Sequence, residues 1–505
     1  MNINTNNYDS TFCGSLPIHH INVIQPYGVL LVLEQESLNI VQASENVPQI
    51  FEITAQELVQ HSLAEYLDER SAATLKSKFE KKIRDKIPVL LTINGVKVLS
   101  IIHARERYLL LELELATMGQ TSETPFVDVY QDIKYAMAAI DLAETTREIC
   151  RIAAQELKKI SGFDKVMVYQ FDAQWNGNVV AEEMEEGMES YMGFTFPASD
   201  IPKQARALYL KNPYRFIPDR LYKPEKLYPV INPLTHSFVD LSDCNVRGVA
   251  AVHLEYLKNM GVIASMSTRI IHNDTLWGLI ACHHRTAKPM SYQECAVFEL
   301  LSNVLSTKIA SLLHKEQLAF DTSINSKRLN FIEAIYNNSK LADAFVANGS
   351  NILSLFRAGG AAFIQDERIV SVGEVPARDE LADLAMWLSA KKQQEVFHEN
   401  NLAAVNEHAA SYANIGSGLL VIPLGESEDA YLAVFRPEVI HTVNWGGNPN
   451  EAIRFEGDNK TYHPRFSFSL WQQTVRQTSL PWREEEIKAA ENIRSFIYEY
   501  STRKK

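Results

Sequence analysis

The sequence predicts an α+β protein made of several domains with antiparallel sheets, joined by one long helix. The chain has 505 residues, more than one hydrophobic core normally holds, so two to four domains are expected. Short aliphatic and β-branched runs alternate with polar helical stretches. From Tyr292 to about Asn337, apolar residues recur at helical spacing for longer than one domain needs, which indicates a spine that joins two domains and offers a face to a partner chain.

The first unit covers residues 26–116. Its β-like runs are GVLLVLE, PVLLTI and YLLLELEL, and its helical stretches are TAQELVQHSLAEYL and SAATLKSKFEKKI. This mixture favours a small α+β domain around an antiparallel sheet. The polar residues 116–125 form the expected boundary with the second unit.

The second unit opens with a helix in LAETTREICRIAAQELKKISG, which Gly162 is expected to end. Strands are predicted for KVMVYQF and NVVAEE, followed by a long irregular stretch over residues 186–246. The unit closes with the strands ASMSTRII and LWGLIAC. The third unit has strands at AAFIQ, LLVIPL and YLAVFRP and ends in the amphipathic stretch REEEIKAAENIRSFIYEYSTRKK. We expect the whole protein to continue beyond this helix.

Composition and charge argue against several classes of function. The formal net charge of −13 argues against nucleic-acid binding, because phosphate is held by clustered Lys and Arg. We expect no membrane span and no secretory signal, since the N-terminus MNINTNNYDS is polar. The five cysteines are irregularly spaced, which predicts a reducing cytoplasm and thiols that are free, metal-bound or reactive.

Three segments of the second unit carry polar side chains suited to a binding site: FTFPASDIPKQARALYLKNPYRFIPD, RGVAAVHLEYLKNMGV and LWGLIACHHRT. Asp200 lies between Pro197 and Pro202, which stiffen the backbone and suit the carboxylate to a fixed contact. The adjacent His283 and His284 should point to opposite faces of their strand. These residues could equally form salt bridges and ordinary core contacts.

Two other interpretations stay open on the residues alone. Cys13 or Cys282 with His283 could form a cysteine hydrolase or a zinc site, although no Cys-x-x-Cys or His-Glu-x-x-His spacing occurs. The second unit could instead bind a small molecule such as a cyclic nucleotide or haem, which would not need Cys13.

The order of the motifs favours one family. FPASDIP, YLKNMGV and LWGLIACHH closely resemble the chromophore-binding domain of phytochromes, and SVGEVP, FRPE, WGGNP and PRFSF resemble their hairpin "tongue". The resemblance implies three domains: an N-terminal extension and PAS domain over 1–122, a GAF domain over 123–315 and a PHY domain over 316–505. It also implies a tongue at about 437–478 and an N-terminal knot in which the leader is threaded through a GAF insertion.

The resemblance also implies a chromophore, a linear tetrapyrrole held by a thioether. Phytochromes that attach their bilin to a GAF cysteine have it immediately before the pocket histidine, where this chain has Val252 before His253. Bacteriophytochromes attach biliverdin upstream of the PAS domain, in a context like Cys13-x-x-x-Pro17-Ile18-His19. The implied cofactor is therefore biliverdin IXα, bound covalently at Cys13, with no metal and no catalytic residue.

The further residues implied to bind the bilin are Tyr169, Phe196, Asp200, Ile201, Pro202, Tyr209, Arg215, Arg247, His253, Tyr256, Ser265, Ser267 and His283. In the family the Asp200 carbonyl and His253 would hold the pyrrole N–H groups. Arg215 and Arg247 would pair with the propionates. The tongue residues implied to couple to this pocket are Arg465, Trp445, Pro464 and Ser467.

Other roles and departures follow from the same resemblance. His283 would bond the D-ring carbonyl, in a space shaped by Tyr169, Phe196 and Tyr256. Arg465 would reach Asp200 in at least one state. Ala250 stands where a serine is usual near a propionate. Thr268 and Arg269 follow Ser267 where small or apolar residues are usual, and Arg269 is expected either to face solvent or to alter the propionate contacts.

The function implied is red/far-red light sensing. Isomerisation of the bilin C15=C16 bond would refold the tongue and act through the helical spine on an output domain outside this chain. A histidine kinase is the first candidate output and a diguanylate cyclase the second; the chain itself is expected to be no enzyme. A homodimer through the spine helices in the cytoplasm is expected, with no nucleic acid or membrane as partner.

Overall fold

The structure is a computed structural model that describes residues 19–35, 37–80, 86–115, 126–338, 341–347, 349–365, 368–424, 430–451, 453–455 and 462–504. The chain divides into two compact units. The first comprises residues 1–312 and 444–471, and the second comprises residues 313–443 and 472–505. A stretch of the third sequence domain thus belongs to the unit formed by the first two.

The first domain is built on an antiparallel sheet, as its sequence predicts. Its own strands are β1 Val23–Ile24, β2 Gly28–Glu34, β3 Ile40–Ser44, β4 Ile87–Ile93, β5 Val96–Ala104 and β6 Tyr108–Glu114. Its helices are α1 Pro48–Phe51, α2 Ala55–Leu58 and α3 Glu69–Glu80. The predicted single helix in TAQELVQHSLAEYL is wrong, because the backbone is extended at Val59 and Ser62 between α2 and a 3₁₀ turn.

The second domain contributes six of its seven described strands to a second sheet. Its strands are β7 Lys165–Phe171, β8 Gly177–Met184, β9 Thr195–Phe196, β10 Tyr214–Ile217, β11 Glu225–Tyr228, β12 Ala264–His272 and β13 Thr275–His284. Its helices are α4 Phe126–Leu142, α5 Thr146–Ser161, α6 Lys203–Lys211 and α7 Ala251–Asn259. Gly162 ends α5 in the left-handed region at φ 63°, as predicted. The stretch 186–246 is not irregular throughout, since it holds β9, β10, β11 and α6.

One strand of the second domain completes the sheet of the first. β11 lies between β1 and β3, and Leu227 donates its backbone N–H to the Asn22 carbonyl at 2.8 Å. The segment from Leu227 to Val246 covers one sheet face, while the short helices cover the other. GVLLVLE is therefore buried almost throughout instead of alternating. Most of the predicted knot falls on residues 1–18, outside the described residues.

The spine is one helix, α8, with the bounds Tyr292–Asn337. By length and composition alone α8 could cross a membrane, and 33% of its most apolar window is buried. The expectation that no stretch of the sequence is long and apolar enough to span a membrane is therefore wrong when judged by length and composition alone. A long helix that packs against several elements carries apolar residues on more than one face. This also gives the helix a high mean hydropathy.

The third domain contains a five-stranded antiparallel sheet in the order β15-β14-β18-β17-β16. The strands are β14 Gly360–Gln365, β15 Arg368–Gly373, β16 Phe397–Glu399, β17 Gly418–Pro423 and β18 Ala430–Arg436. The helices are α9 Leu341–Ala347, α10 Gly349–Leu355, α11 Arg378–Ala390, α12 Ala413–Gly416 and α13 Glu484–Lys504. The predicted tongue contains β19 His441–Gly446, β20 Ile453–Phe455, β21 Tyr462–Pro464 and β22 Leu470–Val475.

A buried arginine lies where the tongue leaves and re-enters the third domain. Arg436, the last residue of β18, donates to the Phe356 carbonyl at 2.6 Å and to the Pro481 carbonyl at 2.9 Å. Its guanidinium lies 3.7 Å over the Trp482 ring. Arg436 also pairs at 2.6 Å with Glu486 in the first turn of α13. One side chain thus ties both ends of the tongue to the C-terminal helix.

Candidate functional site

The second domain contains a cavity of about 200 Å³ between its sheet and the helices α6 and α7. Strands β7, β12 and β13 form its floor, since alternate side chains on a strand share one face. Tyr169, Ser267 and His283 reach the cavity from these three strands. The FPASDIP segment and α7 form the opposite wall, with Asp200 and His253.

All described residues expected to line a bilin border this one cavity: Tyr169, Phe196, Asp200, Ile201, Pro202, Tyr209, Arg215, Arg247, His253, Tyr256, Ser265, Ser267 and His283. Segments up to about 110 residues apart in sequence therefore converge on one site, as an extended ligand requires. Ala250 also lines it. Cys13 lies outside the described residues.

Two arginines give part of the cavity wall its positive charge. Burial, together with the nearby Arg215 charge, lowers the pKa of Arg247 to about 10. Burial likewise lowers the pKa of Arg215, opposed by Tyr209 and Tyr222. The Tyr209 hydroxyl lies 2.6 Å from Ser267 Oγ. Within the described residues no carboxylate pairs with Arg215, so this wall suits an anionic group such as a carboxylate.

The two histidines of the cavity are held neutral. Burial, aided by the charge of Lys165, lowers the pKa of His283 to about 3. Burial also lowers the pKa of His253 well below its usual value, aided by Arg215. His253 stacks on Tyr256 at 6.0 Å with 7° between the rings. Neither imidazole hydrogen-bonds through its side chain within the described part of the chain, so both are free to bond polar ligand groups.

Asp200 contacts the tongue. Its carboxylate accepts hydrogen bonds from Arg465, through Nη2, and from the Tyr256 hydroxyl at 2.9 Å. Burial raises the pKa of the Asp200 carboxyl, while Arg465 acts in the opposite direction. Arg465 is only 3% exposed and also donates to the Gly446 carbonyl, and its own carbonyl accepts from Asn259 at 3.0 Å. This arginine fixes the tongue at the cavity wall.

The other tongue residues differ in position. Pro464 is buried and lines the cavity. Trp445 is half-buried and pairs in parallel with Thr195 of β9. Ser467 is exposed and accepts a hydrogen bond from the Ser469 N–H, so it lies away from the cavity. Phe468, which the sequence analysis did not single out, is buried against Tyr256 at 5.0 Å.

Several lining residues were missed, although the sequence signals some of them. Met167 precedes Tyr169 by two residues on β7. On β13, Ala281 precedes His283 by two residues and Leu279 precedes it by four. The period-two rule places each with the residue already chosen. Tyr191 has no such signal, because it lies in the loop between β8 and β9.

Arg269 does not line the cavity. Its guanidinium donates to the carbonyls of Tyr209 and Leu210, at 3.0 and 2.7 Å. These carbonyls belong to the last turn of α6, where a positive charge is favourable. Neither of the two alternatives left by the sequence therefore describes Arg269, which instead caps a helix.

Two groups of side chains outside the cavity have the chemistry of metal ligands: His19, His20 and Asp240, and His103, Glu112 and Cys244. In the buried group, Glu112 lies 2.5 Å from His103 and accepts from the Val246 N–H at 2.7 Å. In the other, Asp240 lies 3.6 Å from Arg105. These partners already satisfy the carboxylates.

The described cysteines lack the features of a nucleophile. Cys150, Cys244, Cys282 and Cys295 are free and buried. Burial raises the pKa of Cys282, the neighbour of His283, which disfavours the thiolate. His284, on the other face of β13 as predicted, lies 3.2 Å from Asp164. A hydrolase built on Cys282 therefore has no support in this geometry.

Comparison with known proteins matches the same three domains. Residues 13–116 match the PAS fold model, residues 145–309 the GAF domain model and residues 324–505 the phytochrome region model. The chain is 37% identical to cyanobacterial phytochrome B of Nostoc sp. over 97% of its own length. It is 30% identical to a bacteriophytochrome of Xanthomonas campestris pv. campestris, of which it covers 80%.

Solved structures agree. A bacteriophytochrome from R. palustris superposes with a TM-score of 0.82 at 34% identity, covering 96% of this chain and 98% of the other. The phytochrome photosensory core module of Stigmatella aurantiaca gives 0.80 at 32%, covering 97% and 98%. The fold and the cavity define a photosensory module with PAS, GAF and PHY domains.

The chain belongs to the phytochrome family of photoreceptors. It spans 66% of the length of the Nostoc relative, so it corresponds to the sensor part of such proteins. Phytochromes carry a bilin chromophore, and the arginines, the free imidazoles and the aromatic wall of the cavity fit such a molecule, which has carboxylates, polar ring edges and flat apolar faces.

Proposed function

We propose that the chain is a red/far-red sensor that binds biliverdin IXα covalently through Cys13. The observation that carries this proposal is the convergence of every described residue expected to bind the bilin on one cavity. Biliverdin is favoured over other bilins because Val252, before His253, cannot form a thioether. A bound bilin would supply light absorption and isomerisation at its C15=C16 double bond.

The protein's part is to hold and sense that group. Arg215 and Arg247 would neutralise its two carboxylates, with Ser267 held ready by Tyr209. His253 would face the pyrrole nitrogens, and neutral His283 would bond the carbonyl of the terminal ring. Tyr169 and Phe196, whose ring centroids lie 6.0 Å apart, would confine that ring.

The signal would leave the cavity through Asp200 and Arg465. Asp200 would transmit a change in its surroundings to Arg465, and the tongue would then exchange strand for helix. We propose a homodimer along α8, whose Leu300, Leu318 and Leu329 are exposed. The proposed setting is the cytoplasm, and the proposed output domain is a histidine kinase or, second, a diguanylate cyclase.

An absorption spectrum tests the cofactor. After mixing with biliverdin in dim light, we expect a red band that is absent from free biliverdin and that red light converts reversibly to a far-red form. Protein with Arg215→Ala and Arg247→Ala together should bind biliverdin at least about tenfold more weakly, because the carboxylates lose charged partners. A spectrum identical to that of free biliverdin would exclude a bilin sensor and reopen a cyclic-nucleotide or haem site.

Arg465→Ala should leave biliverdin attachment normal but change thermal reversion after illumination by at least about tenfold, because a charged hydrogen bond contributes about 1.5–3 kcal/mol. Strand and helix preferences in SFSLWQQTVRQ differ by less than about 1 kcal/mol per residue, so this contact can choose between them. Hydrogen exchange over residues 439–475 should change with it. Arg476→Ala, at an exposed arginine of the same hairpin, is the control. Unchanged reversion and exchange in Arg465→Ala would refute the coupling.

A further inference from the structure

A buried ion pair lies beside the cavity, outside the set of residues that line it. Lys165 Nζ and Glu182 Oε1 are 2.9 Å apart, and the two side chains are only 2% and 4% exposed. Removing two charges from water costs several kcal/mol per ion before their attraction is counted. Such a pair contributes little net stability, and a role at the neighbouring site is the alternative to be tested.

The pair is held on the cavity face of the sheet. Lys165 is directly opposite His283 across β7 and β13, and His283 is directly opposite Ser265 across β13 and β12. Directly paired residues share a sheet face. Glu182 is paired with Met167, another lining residue, and so joins the same face.

The ammonium of Lys165 has partners in every direction that its protons take. It donates to Glu182 and, at 2.5 Å, to the Glu189 carbonyl, and it lies 3.7 Å from the centroid of the Tyr191 ring. The Glu182 carboxylate is fixed in turn by Ser190 Oγ at 2.5 Å and by the Tyr191 N–H at 3.0 Å. Charge and ring are thus locked together behind the end of the cavity that Tyr191 and His283 line.

We propose that Lys165 is a positioning residue of the cavity: it cancels the charge of Glu182, so that burial leaves His283 uncharged, and it holds Tyr191 in place, so that this end accepts a neutral hydrogen-bonding ring. The proposal rests on the proposed function in one respect, the identity of that ring as the terminal ring of a bilin. The charges that act on His283 come from β7 and β8, through Lys165 and Glu182, and its other neighbouring titratable group is His253 of α7.

The two members of the pair should have unequal effects. Lys165→Met removes the cation and leaves the Glu182 carboxylate near His283, which favours the imidazolium, so the pKa of His283 should rise by about one unit or more. Glu182→Gln leaves the cation, and His283 is then still neutral. The double variant Lys165→Met with Glu182→Gln removes both charges and should return His283 close to its behaviour in the parent protein.

Histidine-labelled protein without biliverdin, followed by NMR as pH falls, tests this directly, with His283→Gln to assign the signal. Lys165→Arg should titrate like the parent protein. Lys158→Met, which breaks the more exposed Lys158–Glu185 pair of the same domain, is the matched control and should also leave His283 unchanged. If Lys165→Met does not fold, Lys165→Gln, which keeps a hydrogen-bond donor for Glu182 but carries no charge, should show the same rise in the pKa of His283.

Biliverdin-loaded protein gives a second, separate measurement. The absorption band of Lys165→Met should change with falling pH about one unit above the pH at which the band of the parent changes, because its His283 takes up a proton sooner, while the bands of Lys165→Arg and the double variant should follow the parent. If His283 titrates alike in Lys165→Met and Glu182→Gln, the pair is merely structural and the proposal is wrong. Failure to bind biliverdin would overturn the proposed function but leave the NMR result intact.

Discussion

Cys13→Ser should abolish the zinc-fluorescent bilin band on a denaturing gel while leaving a coloured, non-covalent complex in solution. A thioether needs a thiolate, and a hydroxyl at this position does not add to the bilin under the same conditions. Arg215, Arg247 and the aromatic wall remain in the variant, so the binding cavity is kept.

Serine at each of the other cysteines is the control. Cys150, Cys282 and Cys295 are buried away from the cavity lining, and burial raises the pKa of the Cys150 thiol to about 12. Cys244 is the strictest control, because it does line the cavity. Its burial also raises its pKa, so Cys244→Ser should keep the covalent band. A band that survives Cys13→Ser and disappears in Cys244→Ser would move the attachment to the cavity wall.

Glu486→Leu should lower the free energy of unfolding by about 3–5 kcal/mol, the cost of leaving one partner of a buried ion pair without the other. Glu486 is 0% exposed and accepts from Arg436 at 2.6 Å and from Arg357 at 2.9 Å. Its other oxygen accepts from the Arg483 N–H at 2.8 Å, which caps the start of α13. Urea unfolding followed by circular dichroism measures the loss.

The double variant Arg436→Met with Glu486→Leu separates charge from packing. It should be more stable than Glu486→Leu alone, since no unpaired buried charge remains. Arg368→Met is the matched control: Arg368 and Asp343 lie 3.7 Å apart, both 53% exposed, and such surface pairs contribute about 0–1 kcal/mol. Equal losses in Glu486→Leu and Arg368→Met would show that the Arg436 contacts do not hold α13.

The sequence pattern predicted the helices and strands whose formation depends on residues close together in the chain. The apolar residues at helical spacing predicted both ends of α8. KVMVYQF and LLVIPL are strands as predicted, since each is a short β-branched run. Helix α4, Phe126–Leu142, was not predicted, because the second unit was expected to open at the helix that follows it.

The sequence pattern did not predict contacts between segments that lie far apart in the chain. The motifs indicated which residues form the cavity, but not that Arg269 would cap α6 or that Lys165 would pair with Glu182 behind His283. In each case the partner is decided by how strands and loops fold against one another. A charged residue in a strand pattern gives no sign of whether water or a buried carboxylate faces it.

The strand β11 has a consequence for how the molecule is made. Val23 pairs with Lys226, so the N-terminal sheet can be completed only after a strand about 200 residues later in the chain has been synthesised. Such non-local pairing slows folding. Until then β3 has an open edge, a surface on which nascent chains can associate. A gene fragment ending at residue 122 would leave that edge open permanently, and we expect it to aggregate. Although the sequence divides into a first and a second domain, the sheet of the first domain can be completed only after β11 of the second has been synthesised.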